Sequence, residues 1–196
     1  EPLTGRFNIV GGENVEHVVM GKDEQQYLMA SDAGYGFVGQ FSDMVSKNKA
    51  GKAYLSLSNG AKVIAPQVLK NLESAWCLAI SSEGRMLMFP LRDLPVLGKG
   101  KGNKLISIPS ARAASREEYV KVLSVVPDGA SIKILSGKRG MSLSAADLTH
   151  YQGERGRRGN KLPRGLQRVD GVEVELGKIT PNTGDELLPP LSEGSE

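Results

Sequence analysis

The sequence has few of the features expected of secreted or membrane proteins. Cys77 is the only cysteine among 196 residues, so no disulfide can form within the chain. A single cysteine fits a reducing compartment. No apolar run reaches the roughly 18 residues of a membrane-spanning helix, and no signal peptide is recognisable. We therefore expect a cytoplasmic protein without a membrane span.

The groupings of side chains that enzymes use for chemistry are also missing. His17 and His150 are the only histidines; they are far apart and belong to no motif, so we expect structural or surface roles. The sequence GKGKG at 98–102 lacks the spacing of a phosphate-binding loop or a dinucleotide fingerprint. Asp43 and Asp93 are interpreted as turn or cap residues rather than metal ligands. No catalytic or metal site is predicted in this chain.

Helical periodicity is absent as well. No long stretch repeats apolar residues every 3.6 positions, which argues against a helical repeat protein. Short apolar runs instead alternate with turns, and the chain contains 24 glycines. Hairpins are predicted around the turns Asp32–Gly34, Ser82–Gly84 and Pro127–Gly129. This pattern favours an all-β protein made of four-stranded units.

Positive charge is concentrated in one stretch, Gly153 to Arg168, which reads GERGRRGNKLPRGLQR. Six of its sixteen residues are basic, and only Glu154 is acidic. Its glycines disfavour a helix, since glycine costs about 1 kcal/mol there, and its charges oppose burial. An exposed loop is left, and arginine side chains in such a loop suit phosphate. Taken alone, however, the stretch is equally consistent with a solvated loop that has no binding partner.

Related sequences recur along the chain. Gly98 to Ile108 reads GKGKGNKLISI and shares Gly-Asn-Lys-Leu with 159–162, while Gly51 to Leu57 reads GKAYLSL. A strand is expected over Leu105 to Ile108, and the polar stretch Ser110 to Glu118 is expected to form a loop with at most one helical turn. Upstream, a hairpin unit repeats at a shift of 50 residues, with a weaker third copy from Val122; the matched pairs are Leu28 and Leu78, Ser31 and Ser81, Gly34 and Gly84, Phe41 and Leu91, and Asp43 and Asp93. Such a period is typical of a propeller or a solenoid.

Charge is distributed unevenly over the chain. The net charge is +3, yet 171–196 holds six acidic residues and one basic residue, a net of −5 that leaves +8 on 1–170. A basic body points to a polyanionic partner, with the acidic segment as a competitor. We divide 1–176 into blades at roughly 1–57, 58–108 and 109–176, followed by a disordered acidic tail, 177–196. Because the first repeat starts abruptly at Glu1, we expect a fragment of a longer protein.

The chain resembles the C-terminal domains of bacterial type IIA topoisomerase A subunits. The resemblance covers essentially all of 1–176 and is carried by ASDAGYGFV at 30–38, GRMLMFPLRDLP at 84–95, GKGNKLISIPSA at 100–111, and GERGRRG with RGLQR at 153–168. Gyrase A subunits carry a glutamine-arginine-glycine box that serves DNA wrapping. Its nearest match here, QGERGRRG at 152–159, is degenerate, so the resemblance is closer to the topoisomerase IV members.

The resemblance implies a β-pinwheel, in which propeller-like blades exchange a strand with their neighbours and DNA bends on a basic rim. It implies a non-catalytic domain that presents DNA to a cleavage core for decatenation and relaxation during chromosome segregation. By this resemblance, the parent enzyme is nucleoid-associated and uses ATP and magnesium. Its active-site tyrosine, its metal-binding carboxylates and its ATPase B subunit would lie outside this chain. The fragment itself is expected to need no cofactor. Alternatively, the same basic face docks a condensin-like chromosome protein.

Basic residues of the recurring loops are the predicted DNA contacts. We expect them to grip the phosphate backbone rather than read bases, because no recognition helix is available to enter a groove. Lys138 and Arg139, on a tight turn, could serve DNA or a protein. The full set is Lys47, Lys49, Lys52, Lys99, Lys101, Lys104, Lys138, Arg139, Arg155, Arg157, Arg158, Lys161, Arg164 and Arg168.

Deletion of 177–196 is expected to strengthen DNA binding without changing the fold. The segment is acidic and would compete for the basic body over the screening length of about 10 Å at 0.1 M salt. Titration of a labelled duplex at low salt, with and without the segment, measures the effect. Equal affinities would remove the tail from the binding mechanism.

Overall fold

Regular structure in the computed structural model, which describes residues 14–48 and 50–176, consists mainly of β-strands. The strands are β1 (Gln26–Ser31), β2 (Tyr35–Gln40), β3 (Val63–Leu69), β4 (Ala75–Ser81), β5 (Arg85–Pro90), β6 (Asn103–Lys104), β7 (Val120–Pro127), β8 (Ser131–Ser136), β9 (Arg139–Leu143), β10 (Asn160–Lys161) and β11 (Gly171–Glu175). The α-helices are single turns: α1 (Phe41–Met44), α2 (Ser110–Ala114) and α3 (Ala145–Leu148). The predicted all-β class is confirmed. No helix in the described ranges has the length and apolar character needed to cross a membrane.

The strands form three sheets with a repeated connection pattern. Their orders are β3-β1-β2-β6, β10-β5-β4-β7 and β11-β8-β9. Each sheet is centred on an antiparallel hairpin, and a strand from further along the chain pairs with the first strand of that hairpin. In the first two sheets, the second strand of the hairpin pairs with a two-residue strand that follows the hairpin of the next sheet. This exchange of strands confirms the predicted pinwheel arrangement.

The repeated Gly-Asn-Lys-Leu sequence forms the exchanged strands. β6 pairs with the start of β2, and β10 pairs with the start of β5. The leucines that follow, Leu105 and Leu162, are only 0% and 2% exposed. Their amides donate to the carbonyls of Gly34 and Gly84 at 2.7 and 2.9 Å. The strand predicted over Leu105–Ile108 was therefore misplaced, because that apolar stretch enters the core instead of extending a sheet edge.

One predicted hairpin is wrong. The turn at 127–129 connects β7 to β8, but β7 pairs with β4 in the second sheet and β8 pairs with β9 and β11 in the third. The third hairpin is instead β8 and β9, joined at Gly137 and Lys138. A glycine turn fixes where the chain reverses, whereas the choice of strand partner depends on which faces are buried.

The middle sheet is buried on both faces, which explains the unbroken apolar sequence of β4. Its residues alternate between two clusters, and residues 77–80 are all 0% exposed. Cys77 and Ala79 face the first sheet, where they join a cluster that includes Leu28 and Val38. Leu78 and Ile80 face the third sheet and join a cluster that includes Ile132 and Ile134. The sheets therefore stack in series, with β4 shared between two cores.

The division into blades at 57/58 and 108/109 stays a prediction. Each of the first two sheets contains strands from more than one of the predicted intervals. In a strand-exchanged fold, a boundary therefore depends on the unit to which each exchanged strand is assigned. The acidic tail, 177–196, lies outside the described residues.

Replacement of Gly159 by alanine is expected to destabilise the domain more than replacement of Gly129. Both glycines have positive φ, +75° and +73°, so both substitutions incur about 1–2 kcal/mol of backbone strain. A Cβ at Gly159 would lie 2.5 Å from the Met86 carbonyl oxygen, whereas one at Gly129 would meet nothing within 4 Å. The collision should add about 1–3 kcal/mol. Urea unfolding, followed by the fluorescence of Trp76, the only tryptophan, measures the stability of both variants. Equal losses of stability would contradict close packing of the exchanged strand β10 against β5.

Candidate nucleic-acid interface

The loops around Lys52 and Lys101 lie side by side. The Gly100 amide donates to the Tyr54 carbonyl, and the Ser56 amide donates to the Gly100 carbonyl, both at 2.9 Å. The Lys101 ammonium lies 3.9 Å from the centre of the Tyr35 ring, and that of Lys52 lies 5.9 Å from the Tyr54 ring. These cation–π contacts hold the two charges on aromatic faces while they remain exposed to solvent.

The segment around Lys104 is hydrogen-bonded to the most basic stretch of the chain. The Gly156 amide donates to the Leu105 carbonyl at 2.9 Å, and the Ser107 amide donates to the Arg157 carbonyl at 2.8 Å. Arg155 Nη1 donates to the Lys104 carbonyl at 2.8 Å. The predicted contacts at 52, 99–104 and 155–158 therefore belong to neighbouring segments, each hydrogen-bonded to the next.

A second group of predicted residues meets around the β8–β9 turn. Lys138, Arg139 and Arg168 line an open cavity of about 390 Å³ together with Asp170. The Asp170 carboxylate accepts a hydrogen bond from the Gly137 amide at 2.5 Å. This acidic group fixes the turn and partly offsets the positive charge around it.

Three further predicted residues are exposed to solvent. Lys47 is exposed in the loop after α1, Lys161 is exposed on β10, and Arg164 is exposed in the loop that follows. Lys49 lies outside the described residues. The structure thus brings together two groups of the predicted side chains. Of the three others, Arg164 directly precedes Gly165, which lines the same cavity as Lys138 and Arg139.

The three arginines of GERGRRG have different surroundings. Arg155 donates to a backbone carbonyl and is half-buried. Arg157 forms an ion pair with Glu154 at 2.7 Å, with 72% and 77% of the two side chains exposed. Such an exposed pair contributes about 0–1 kcal/mol, so Arg157 can exchange its partner easily. Arg158 is held differently, by a buried carboxylate.

Glu118 is that carboxylate, and its side chain is 0% exposed. Arg158 donates to both of its oxygens, Nη1 to Oε1 at 2.6 Å and Nη2 to Oε2 at 2.7 Å. Arg112 Nη1 lies 3.3 Å from Oε2. Burial raises the pKa of Glu118, but the hydrogen bonds and charge of Arg158, with contributions from Ser81 and Arg112, bring the pKa below its usual value. The carboxylate is therefore ionised at neutral pH.

Sequence reasoning missed this network because it treated Ser110–Glu118 as a polar loop. Glu118 and Arg158 are 40 residues apart. Arg116, from the same loop, pairs with Asp32 at 2.6 Å, although 84 residues separate the two. Arg116 also has an unusual positive φ of +63°. The mixed charge of the loop hinted at ion pairs, but no local pattern could have identified partners so distant in sequence.

Comparison with known proteins places this arrangement in a class. The family model of the DNA gyrase C-terminal domain, a beta-propeller, matches residues 75–125. The solved structure of the DNA gyrase A C-terminal domain superposes with a TM-score of 0.65 at 15% identity and covers 86% of this chain and 56% of that one. At that identity, the likeness concerns the fold alone.

Closer relatives define the family. The structure of the E. coli ParC C-terminal domain is 50% identical, with a TM-score of 0.83, over 89% of this chain and 70% of that one. The A subunit of DNA topoisomerase 4 from Pseudomonas aeruginosa is 54% identical over 176 residues, which are 90% of this chain and 23% of the relative. Its counterpart in Haemophilus influenzae is 52% identical over 181 residues, 92% and 24% of the two chains. The chain thus spans about a quarter of its curated relatives. It belongs to the family of ParC C-terminal domains, and the resemblance seen in the sequence is confirmed.

The contribution of Glu118 to stability is expected to depend on pH. Its folded-state pKa is depressed, so the stabilisation is present above about pH 4.5 and is lost as the pH falls through the folded value. At pH 7, Glu118→Gln should lower the free energy of unfolding by about 3 kcal/mol, because Arg158 loses its buried partner. Urea unfolding from pH 7 down to pH 3 should show the two proteins converging.

The matched control is Glu154→Gln, which removes a carboxylate from an exposed ion pair with Arg157. It should change the free energy of unfolding by less than about 0.5 kcal/mol. A difference between wild type and Glu118→Gln that stays constant down to pH 3 would mean that the charge of Glu118 does not stabilise the fold.

Proposed function

We propose that this domain binds double-stranded DNA along the edge where its exchanged strands enter and bends the duplex there. The observation that supports this most directly is the hydrogen-bonded succession of the segments around Lys52, Lys101, Lys104 and Arg155. The exchanged strands β6 and β10 bring the segments around Lys101, Lys104 and Arg155 to that edge. A duplex laid along the edge would meet positive charge from several segments in turn.

The proposed binding is electrostatic and largely independent of sequence. The longest helix in the described ranges, α2, has five residues, too few for a recognition helix that reads the major groove. Lysine and arginine side chains would contact phosphates, which position a duplex without reading its bases. Each neutralised phosphate should contribute about −0.9 to the slope of log K against log salt concentration.

For the parent protein we propose the A subunit of an ATP-dependent type II topoisomerase that acts with a B subunit, ATP and magnesium in the cytoplasm, on the nucleoid. Membership in the ParC C-terminal domain family and the identity with topoisomerase 4 A subunits support this. The domain would present DNA segments to the cleavage core for decatenation and relaxation. We assign the chemistry to the rest of the parent protein, because this chain matches a C-terminal domain and spans only 23% of the topoisomerase 4 subunit from Pseudomonas aeruginosa.

Bending follows from the repeat of the architecture. Blades of a propeller are arranged radially around a central axis, so basic segments repeated from one sheet to the next lie on a curved edge. A straight duplex would touch only part of that edge. Bending a site of 20–30 base pairs costs about 1–6 kcal/mol, which additional phosphate contacts can offset. A modest bend is therefore expected rather than a full wrap.

The proposal is tested by energy transfer between dyes at the two ends of a duplex of about 30 base pairs. The ends should approach when the domain binds. The approach should diminish when Lys99, Lys101 and Lys104 are all replaced by alanine. The matched control replaces Lys70, Lys121 and Lys133, which are not among the predicted DNA contacts, and should leave the bend unchanged. A tightly bound duplex whose end-to-end distance stays constant would refute bending, and absence of binding at low salt would refute the DNA function itself.

A condensin-like protein stays a predicted alternative occupant of the same basic face. If it used that face, it would compete with DNA, and the lysine substitutions above would weaken both interactions together. Binding of such a protein to a preformed complex of the domain with DNA, without displacement of the DNA, would place the partner elsewhere.

A further inference from the structure

Arg158 lies within the most basic stretch of the chain, yet most of its hydrogen-bonding capacity is already used. Nη1 donates to the Ser107 carbonyl at 2.7 Å and to Glu118 Oε1 at 2.6 Å. Nη2 donates to Glu118 Oε2 at 2.7 Å. A guanidinium has five N–H groups, so only one on Nη2 and the one on Nε remain. The side chain is 32% exposed, while that of Glu118 is fully buried.

Moving Arg158 toward a phosphate would strand its partner. Apart from the Ser81 hydroxyl, Glu118 would keep only Arg112, 3.3 Å away, and Arg112 is shared with Glu83 and Glu117. Removing one member of a buried ion pair leaves an uncompensated charge in a site of low polarity, which is strongly unfavourable. Arg158 is therefore poorly suited to exchange Glu118 for DNA, in contrast to Arg157 with its exposed partner.

The pair joins segments from different parts of the fold. Arg158 belongs to the loop that precedes β10, Ser107 to the segment after β6, and Glu118 to the residue run that leads into β7. The Ser107 amide in turn donates to the Arg157 carbonyl at 2.8 Å. Through these contacts, the position of Arg158 fixes the backbone on which Arg155 and Arg157 are carried.

We propose that Arg158 and Glu118 are positioning residues that orient the basic loop 153–158, and that Arg155 and Arg157 are the arginines of that loop that contact phosphate. This assignment rests on the proposed DNA-binding function and revises the predicted role of Arg158. It divides the arginines of GERGRRG into one that is fixed by a buried carboxylate and two whose charge is available to a duplex.

The sign of the effect of Glu118→Gln on DNA affinity tests the assignment. Glu118 is an acidic residue next to the proposed binding edge, so its neutralisation should tighten DNA binding if charge alone matters. If Glu118 positions the loop, neutralisation should weaken binding about tenfold, which corresponds to the loss of roughly one charge-assisted contact. It should also flatten the salt slope by about 1 or more.

Glu154→Gln is the matched control, because Glu154 lies on the same loop but is exposed and pairs with Arg157. Its neutralisation should tighten binding by about two- to threefold, the effect of releasing one surface charge. The two carboxylate-to-amide variants are thus expected to change the affinity in opposite directions.

Two variants that conserve charge separate geometry from charge and keep the test valid if Glu118→Gln does not fold. Arg158→Lys cannot reproduce the two-pronged pairing, and Glu118→Asp is too short to meet Arg158 at the same distances. Both should weaken DNA binding as Glu118→Gln does. Wild-type affinity and slope in Arg158→Lys, or tighter binding in Glu118→Gln, would overturn the assignment and make Arg158 a phosphate contact or a bystander.

Amide hydrogen exchange without DNA provides a readout that does not depend on the proposed function. The amides of Gly156 and Ser107, which are hydrogen-bonded across the two segments, should exchange at least about tenfold faster in Glu118→Asp and Arg158→Lys, while amides of β4 keep their protection. Unchanged exchange would refute the positioning role. If the wild-type domain fails to bind DNA but these amides exchange faster in the two variants, the DNA-binding function is refuted and the positioning role remains.

Discussion

Strand exchange is the constraint on which the rest of this structure depends. Neither of the first two sheets is complete without a short strand supplied after the hairpin of the next sheet. The exchanged strand passes so close to its partner that a Cβ at Gly102 would collide with the backbone of Gly36, and the leucine that follows is buried in the core. Because each exchange places residues of a later repeat in an earlier sheet, the order of the sheets and the stacking of their cores are fixed together.

The same constraint explains where the positive charge lies. An exchanged strand is followed by a buried leucine and preceded by a glycine-rich loop, so charged residues are tolerated in the loop and in the two-residue strand, at Lys104 and Lys161, but not beyond it, where the chain enters the core. Repetition of the exchange repeats the loop. Hydrogen bonds between successive loops, such as that from Arg155 to the Lys104 carbonyl at 2.8 Å, then join separate basic segments into one edge. The line of charge is thus a consequence of how the sheets are completed.

The sequence was sufficient for the features that are encoded locally. Glycine turns identified the β1–β2 and β4–β5 hairpins, the shift of 50 residues identified the repeat, and the motifs identified the family. Sequence reasoning failed where partners are distant. The turn at 127–129 was assigned to a hairpin although β7 and β8 pair in different sheets. Glu118 lies in a loop as expected, but its burial in that loop was not predicted. Both outcomes depend on which surfaces meet after folding, and the neighbouring residues in the sequence do not determine which surfaces these are.

The buried pair of Glu118 and Arg158 has a cost that stability alone does not justify. Replacing such a pair by well-packed apolar residues is often neutral or stabilising. Apolar side chains, however, would supply no directional contact to the Ser107 carbonyl, which Arg158 reaches at 2.7 Å. Because glycines flank this loop and leave its backbone free to adopt many conformations, packing by itself would not select one of them. A two-pronged ionic contact restricts the orientation of the loop far more than an apolar contact does. A flexible basic loop can therefore present its other arginines in a defined geometry only if one arginine is committed to the interior.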